Sequence, residues 1–427
     1  MTRLLAAEVF TPFSYPAHTY VQRDELHHER LLEQWRQSPT LIASVSGPSK
    51  AGKTVLVQRV VSEDKLITVS GASVRTPDQL WERVLDWWGE PHSTTASRAD
   101  ATTESRTREH QGTVGFSGTG ASTRHGNAAG TGATETLAAT SNRRGLPQVV
   151  KELAGTPYTL LLDDFHYIPI AIQGDVAQQL KDAASRGVRI CVASVPHRAD
   201  TVVRALPELR GRVLAIDLDY WSKRDLLRIA AIGTELLGIS VDAASLAMFA
   251  TEAAGSPQLM QSICLWMCNH LRIFETVPSR AVLLDDADRK TILFMTSSTV
   301  DFRSLVRAMI AGPRVRPGER RTYTHHDGKQ GDVYLTMMRA IAMDPPRLAI
   351  EYAELGKRLE ELCRGERPDG ASVVRTCMTL GQIAHGFAAA SGPSLEWDDN
   401  NQVLVVPDPY LLFYLRWSGI LEREAQG

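Results

Sequence analysis

The chain has 427 residues, 43% of them hydrophobic and 22% charged, with a formal net charge of −2. That length exceeds what one hydrophobic core ordinarily holds, so two or three domains are expected, and the composition excludes disordered and fibrous classes. The near-neutral balance gives no global field for drawing in nucleic acid or an anionic membrane, no apolar run reaches the roughly 18 residues that cross a bilayer, and Glu8 interrupts the opening stretch before it builds a signal-peptide core, so a cytoplasmic protein without membrane contact is expected.

In chain order, residues 24–37 read as an amphipathic helix with Leu26, Leu31, Leu32 and Trp35 as its apolar stripe. An apolar strand over 41–46 stops at Gly47, and helical character resumes from Thr54 to Val61. A strand over 65–69 and a helix over Pro77–Trp88, with Leu80, Trp81, Val84, Leu85 and Trp88 at helical spacing, make a second β–α unit. Residues 90–146 turn to Ser, Thr, Gly and Ala, too few large apolar groups to offset chain entropy, and read as a mobile low-complexity insertion; a weak hairpin over 112–120 lacks the Gly-Lys-Ser/Thr ending of a phosphate loop. Buried strands follow over 158–164, ending in Asp163-Asp164, and over 188–194.

Strands alternating with helices predict an α/β fold, a parallel sheet with helices on both faces. From 222 to about 270 the pattern is helical, with a Gly255-Ser256-Pro257 break. Residues 332–417 hold three helical stretches, a hairpin (394–397, turn 398–401, 403–406) and an aromatic terminal helix, the order of a winged helix. The expected domains are an N-terminal segment and helix (1–40), an α/β domain (41–220, carrying the insertion), a helical lid (221–290), and a linker with a winged-helix domain (291–427). Cys191, Cys264, Cys268, Cys363 and Cys377 are scattered through apolar patterns. Cys264 and Cys268 share a helix face, but without a second ligand pair nearby all five are expected to be reduced core thiols.

The chemistry is carried by Gly47-Pro48-Ser49-Lys50-Ala51-Gly52-Lys53-Thr54, which matches G-x-x-x-x-G-K-[ST] between a strand and a helix. Such a loop turns its amides onto the phosphates of ATP, the helix N-terminus adds partial positive charge, Lys53 neutralises the β- and γ-phosphates, and the Thr54 hydroxyl holds Mg²⁺. Asp163, at the end of a leucine-rich strand, is the second Mg²⁺ candidate, and Asp164 is placed to polarise water; a helix N-cap is the plainer reading of Asp164. Ser194, at a strand end followed by Pro196-His197-Arg198, is a candidate for sensing the γ-phosphate, although His197 and Arg198 read equally well as surface loop. Arg210 and Arg212, before the next strand, are candidates to reach the ATP of a neighbouring subunit or are plain exposed arginines.

Together the Gly47–Thr54 loop, Leu160-Leu-Leu-Asp-Asp164, Ser194, Arg210/Arg212, Tyr220-Trp221-Ser222 and Gly255-Ser-Pro257 resemble the AAA+/STAND branch of P-loop ATPases. The resemblance implies that Thr19-Tyr20-Val21-Gln22-Arg23 holds adenine, with Gln22-Arg23-Asp24 in place of the usual Gly-Arg-Glu. It implies that Pro257 approaches the nucleotide from the lid, as in STAND proteins, whereas Gln258 stands near where AAA+ relatives carry a lid arginine. This departure favours a slow, switch-like ATPase over a fast motor. The stretch from Val406 to Trp417 resembles the end of the winged-helix domain in related prokaryotic ATPases.

The resemblance leads to an ATP-hydrolysing switch that assembles with copies of itself or signals to a separate effector protein, by analogy in bacterial stress or phage-defence regulation. The competing expectation is a DNA-binding loader or transposition helper. Against it, the predicted recognition helix over 371–385 offers Arg375 as its one sure cation, although a basic loop at 313–329, with Arg314, Arg316, Arg320, Arg321, Lys329, His325 and His326, supplies either a phosphate-contacting arm or a solvated linker.

Overall fold

The computed structural model describes residues 3–38, 40–89, 93–97, 138–142, 145–195, 211–313, 320–388 and 392–425. Strands β1 (Ile42–Ser46), β2 (Leu66–Ser70), β5 (Thr159–Asp163), β6 (Arg189–Ser194) and β7 (Val213–Asp217) form one sheet, and β3 (Ser93–Ser97) pairs with β4 (Ala138–Asn142) in a separate antiparallel ribbon. The sheet order is β2-β5-β6-β1-β7 and every neighbouring pair is parallel. β6 therefore lies between the strand that leads into the phosphate loop and the strand that ends in the acids. The remainder of the low-complexity insertion, including 112–120, lies outside the described residues.

The near-continuous apolar runs of these strands follow from burial on both faces. The two-residue period sorts them: Ile42, Leu160, Leu162, Ile190 and Val192 pack with Leu80, Trp81, Val84, Leu85, Val176 and Leu180 on one side. Ala43, Val45, Leu161, Cys191 and Ala193 pack with Leu32, Trp35, Leu56 and Val57 on the other. The predicted parallel sheet covered on both faces is the one observed.

The helix expected over 24–37 is shorter. Asp24–Leu26 is a single 3-10 turn, His27 takes φ 52°, and the α-helix runs His28–Arg36. A left-handed residue cannot continue a right-handed helix, so the stripe breaks after Leu26.

The segment expected to be helical from 222 to 270 contains helices Lys223–Leu236, Ala243–Glu252 and Pro257–His270, capped by Ser222, Asp242 and Ser256, and one strand the periodicity did not reveal, Ile239–Val241, parallel to Arg280–Val282. Their core also takes in Ala6, Val9 and Phe10 from the N-terminal segment and Tyr410 and Phe413 from the last long helix. Gly233 makes room for Phe10, since a Cβ there would fall 2.2 Å from its ring.

Beyond Arg303–Ala311, helices Val333–Ile341, Tyr352–Leu362 and Gly370–Gly386 precede the expected hairpin, found as Glu396–Asp398 paired with Val403–Val405. A third strand, Ala349–Glu351, absent from the sequence reading, pairs with the other side of Val403–Val405. Helix Pro409–Trp417 is shared between this core and the helical core of residues 223–293. The basic loop is partly neutralised: Arg320 pairs with Asp332 at 2.7 Å, Arg321 with Glu366, and His325 is fully buried against Thr336 at 3.0 Å. Arg314 and Arg316 lie outside the described residues. All five cysteines are free and buried, and among the described residues there is no cluster of three or more metal-ligating His, Cys, Asp or Glu and no helix long and apolar enough to cross a membrane.

Candidate nucleotide cleft

A parallel sheet collects the C-terminal ends of its strands at one edge, and here that edge carries the chemistry. In register, Ser46 faces Ser194, and Ser70 faces Asp163. Gly47 leaves β1 against Leu218, where a Cβ would sit 2.7 Å from the leucine Cβ and 2.8 Å from its carbonyl oxygen. Only glycine fits that approach. The Gly47 amide donates to the Ser194 carbonyl at 3.2 Å, and the loop turns through Lys50 (φ 62°) and Gly52 (φ 94°) into helix Lys53–Val60.

The loop borders a cavity of about 480 Å³ whose walls include Ser49, Lys50, Ala51, Gly52, Lys53, Thr54 and Val55, together with Asp163, Asp164, Arg23 and Pro257. Gly47 and Pro48 contribute through their carbonyls, which accept from the Lys53 ammonium at 2.9 and 3.0 Å. Lys53 is 7% exposed; burial lowers its pKa, and Asp163 and Asp164 oppose that fall. Its ammonium rests on neutral carbonyls beside two acids, ready for a stronger anion.

Thr54 and Asp163 meet as expected for a shared cation site: Thr54 Oγ1 donates to Asp163 Oδ2 at 2.7 Å. Two hard oxygens of this kind, one a carboxylate, fit Mg²⁺, which takes one or two protein oxygens and fills its remaining positions with water and phosphate. Asp164 follows in the left-handed region (φ 55°), its amide bonded to Asp163 Oδ1 at 3.0 Å. Gly71 permits this turn, because a Cβ there would meet the Asp164 carbonyl oxygen at 2.4 Å. Burial, reinforced by Asp163 and opposed by Lys53, raises the Asp164 carboxyl to about 6. It does not donate or accept as a side-chain N-cap for the short turn after it.

Ser194 is 1% exposed and its hydroxyl has no hydrogen-bond partner among the described residues. It sits at the C-terminal end of β6, beside Ser46, although it is not among the cavity walls. Arg212 is exposed and precedes β7 at the opposite edge of the sheet, its carbonyl accepting from Ile42 at 2.9 Å, so it does not meet this chain's own loop. Arg210, His197 and Arg198 lie outside the described residues.

The other walls come from distant segments. Arg23 stacks over the Trp221 ring at 4.8 Å and donates to the Asp219 carbonyl at 3.3 Å. Tyr20 stacks on Tyr15 and donates to Glu29 at 2.6 Å. Trp221 donates from Nε1 to the Ala51 carbonyl at 3.0 Å, and its amide donates to the Gly255 carbonyl at 3.0 Å. Gly255 (φ 81°) lies so close to Tyr220 that a Cβ would fall 2.9 Å from the tyrosine Cβ. Loop, Tyr-Trp-Ser segment and lid helix are thereby tied into one wall. The residues 11–16 that line the cavity carry no motif, and the stretch around Asp408 gives no sign that Asp408 receives the side chain of Lys50; both contacts bridge long sequence separations that no local pattern announces.

No protein-family model matches the chain, and no curated protein is similar to it. Among solved structures it is similar to Cdc6p of Pyrobaculum aerophilum (15% identity, 98% of each chain covered, TM-score 0.43). It is also similar to the ORC2 protein of Aeropyrum pernix (11% identity, 98% of each chain, TM-score 0.47). A Walker-type ATPase of Pyrococcus abyssi is a third such structure (11% identity, 93% of this chain and 96% of that one, TM-score 0.47). The chain's own strand order, its glycine-rich loop after β1 and its acids at the end of β5 make it a parallel α/β fold with a P-loop.

Proposed function

We propose that the chain is an ATP-binding and slowly ATP-hydrolysing switch of the AAA+/STAND type, which couples nucleotide state to self-assembly or to control of an effector protein. The observation that carries this reading is the convergence of Lys53, Thr54, Asp163 and Asp164 on one cavity at the mouth of the phosphate loop. Bound Mg²⁺ supplies charge neutralisation for the phosphates, and Thr54 and Asp163 are the residues that would hold it. Loop amides and the Lys53 ammonium bind and orient the phosphates, Asp164 accepts a proton or hydrogen bond from water, and Ser194, at the end of β6 beside the loop strand, is the residue assigned to sensing the γ-phosphate. Arg23, Tyr20 and Pro257 are the residues assigned to the adenosine half, and Arg212, with Arg210, to the nucleotide of a neighbouring copy.

Hydrolysis rather than storage is supported by Asp164, whose raised pKa suits a base working near neutrality. The winged-helix assignment of the C-terminal domain rests on the order helix, strand Ala349–Glu351, two helices and hairpin, with that strand and the hairpin forming one small antiparallel sheet. A DNA-loading role draws less support: the exposed face of helix Gly370–Gly386 presents Ala371, Arg375, Met378, Gln382 and His385, a single arginine where phosphate contact needs several cations. Phosphate release by the wild type, lost in Asp164→Asn while ATP is still bound, is the result expected; turnover that survives Asp164→Asn contradicts the hydrolytic assignment. Light scattering in ATP and in ADP tests assembly, which is refuted by one and the same mass in both.

A further inference from the structure

The phosphate loop contains a second lysine, and it is not turned toward the loop. Lys50 donates from Nζ to Asp408 Oδ1 at 2.7 Å, across 358 residues of chain, and its ammonium lies 4.3 Å from the centre of the Tyr410 ring. Lys50 takes φ 62°, a backbone conformation that side-chain-bearing residues rarely adopt. The contact is half-sheltered: the two side chains are 27% and 24% exposed.

Asp408 caps helix Pro409–Trp417, and the same Oδ1 accepts the Tyr410 amide at 2.9 Å. Tyr410 is buried, and its hydroxyl is bonded to Ser262 of the lid helix at 2.8 Å. Ammonium, carboxylate, aromatic ring and hydroxyl thus run without interruption from the phosphate loop through the C-terminal helix into the lid. The other end of that helix is held on the lid by Arg416, bonded to Glu252 at 2.8 and 2.7 Å.

Lys50 also lines the cavity that Lys53 and Thr54 line. One ammonium therefore stands between two anions, a single carboxylate outside the loop and whatever polyphosphate enters it. A triphosphate carries several charges against the one on Asp408, and the loop amides concentrate it at this point, so the ammonium follows the larger potential. Building on the ATP-binding reading above, we infer that Asp408 is an internal competitor for the phosphate-loop lysine, so that nucleotide binding releases the start of the C-terminal helix from the loop. Coupling of this kind is reciprocal: docking of the helix lowers nucleotide affinity by the same factor by which nucleotide weakens docking. The C-terminal domain then reads the occupancy of the loop within one chain, before any second subunit is involved.

Asp408→Asn separates the two functions of that side chain, because asparagine still caps a helix but no longer holds an ammonium by charge. The full-length protein is compared by calorimetry with ATP and by amide hydrogen exchange over 409–417. The wild type binds ATP and exchanges faster in this helix when ATP is present. Asp408→Asn binds ATP about threefold to tenfold more tightly, and its helix exchanges at the fast rate with or without nucleotide. Lys50→Met gives the fast rate in both states as well. An Asp408→Asn protein with wild-type affinity and wild-type exchange, or a wild-type helix that ATP protects, overturns the competition while leaving ATP binding intact. A wild type that binds no ATP overturns the functional proposal itself, and this one with it.

Discussion

Thr54 Oγ1 and Asp163 Oδ2 are 2.7 Å apart although 109 residues separate them, because β5 ends level with the start of the phosphate-loop helix. As the proposed Mg²⁺ holders, this hydroxyl and carboxylate would work only together. Asp163→Ala is expected to abolish the gain in ATP affinity that Mg²⁺ provides and to lower phosphate release by about 10² or more. Titrating ATP with and without Mg²⁺ checks it, and a variant that keeps the wild-type Mg²⁺ dependence refutes the pairing.

Asp164 sets a pH dependence. Its carboxyl is raised from 3.8 to about 6 in the folded chain, so it is protonated below that pH and cannot act as a base. Phosphate release is expected to halve near pH 6 and to fall about tenfold for each unit below it. The stability sign runs the other way. A folded-state pKa above the unfolded one means that this group's contribution is full below about 3.8 and is lost as pH rises through about 6. Asp164→Asn removes that loss, so its melting temperature should exceed that of the wild type at pH 8 by more than at pH 5.

The joint between loop and lid is testable at Trp221. Trp221→Phe keeps the ring that stacks with Arg23 and removes the Nε1 bond to the Ala51 carbonyl. A lost neutral hydrogen bond costs about 1 kcal/mol, so ATP should bind about fivefold more weakly. Gly255→Val goes further, since it meets Tyr220 and forces a side chain into positive φ; its loss of affinity should exceed that of Trp221→Phe in the same titration.

Glu252 holds the lid to the C-terminal domain. It accepts two bonds from Arg416 and a third from Trp417 Nε1 at 2.7 Å, and the arginine and glutamate side chains are 7% and 5% exposed. Arg416 keeps its pair with Asp344, so Glu252→Gln weakens charge-assisted bonds without leaving the arginine unpaired, and it should destabilise the protein by about 2 kcal/mol in denaturant unfolding. A change below about 0.5 kcal/mol would mean the pair is no more than a surface bridge.

The sheet and its edge were legible because their signals are local. The run Leu160-Leu161-Leu162-Asp163 states burial and termination within four residues, and the glycines and lysine of the loop are consecutive. Pro77–Trp88 was read to the residue, its proline start and apolar spacing both being one-helix features. What stayed hidden depends on distant partners. The short strand Ile239–Val241 exists because Arg280–Val282 lies alongside, and the partner of Val403–Val405 comes from Ala349–Glu351. The break at His27 is a single left-handed residue inside an otherwise helical pattern. Lys50 was legible as a member of the loop, but its engagement by Asp408 was not, since an Asp-Pro pair near the end of a chain reads only as a helix start.

The proposed nucleotide binding turns on whether the Lys53 ammonium leaves the carbonyls of Gly47 and Pro48 for a triphosphate. Isothermal calorimetry of the wild type and of Lys53→Ala against Mg·ATP measures it directly. The expected result is micromolar-class binding by the wild type, weakened at least about a hundredfold in the variant, in keeping with the loss of a buried charge contact. Equal heats from both proteins, or none from the wild type, would contradict it.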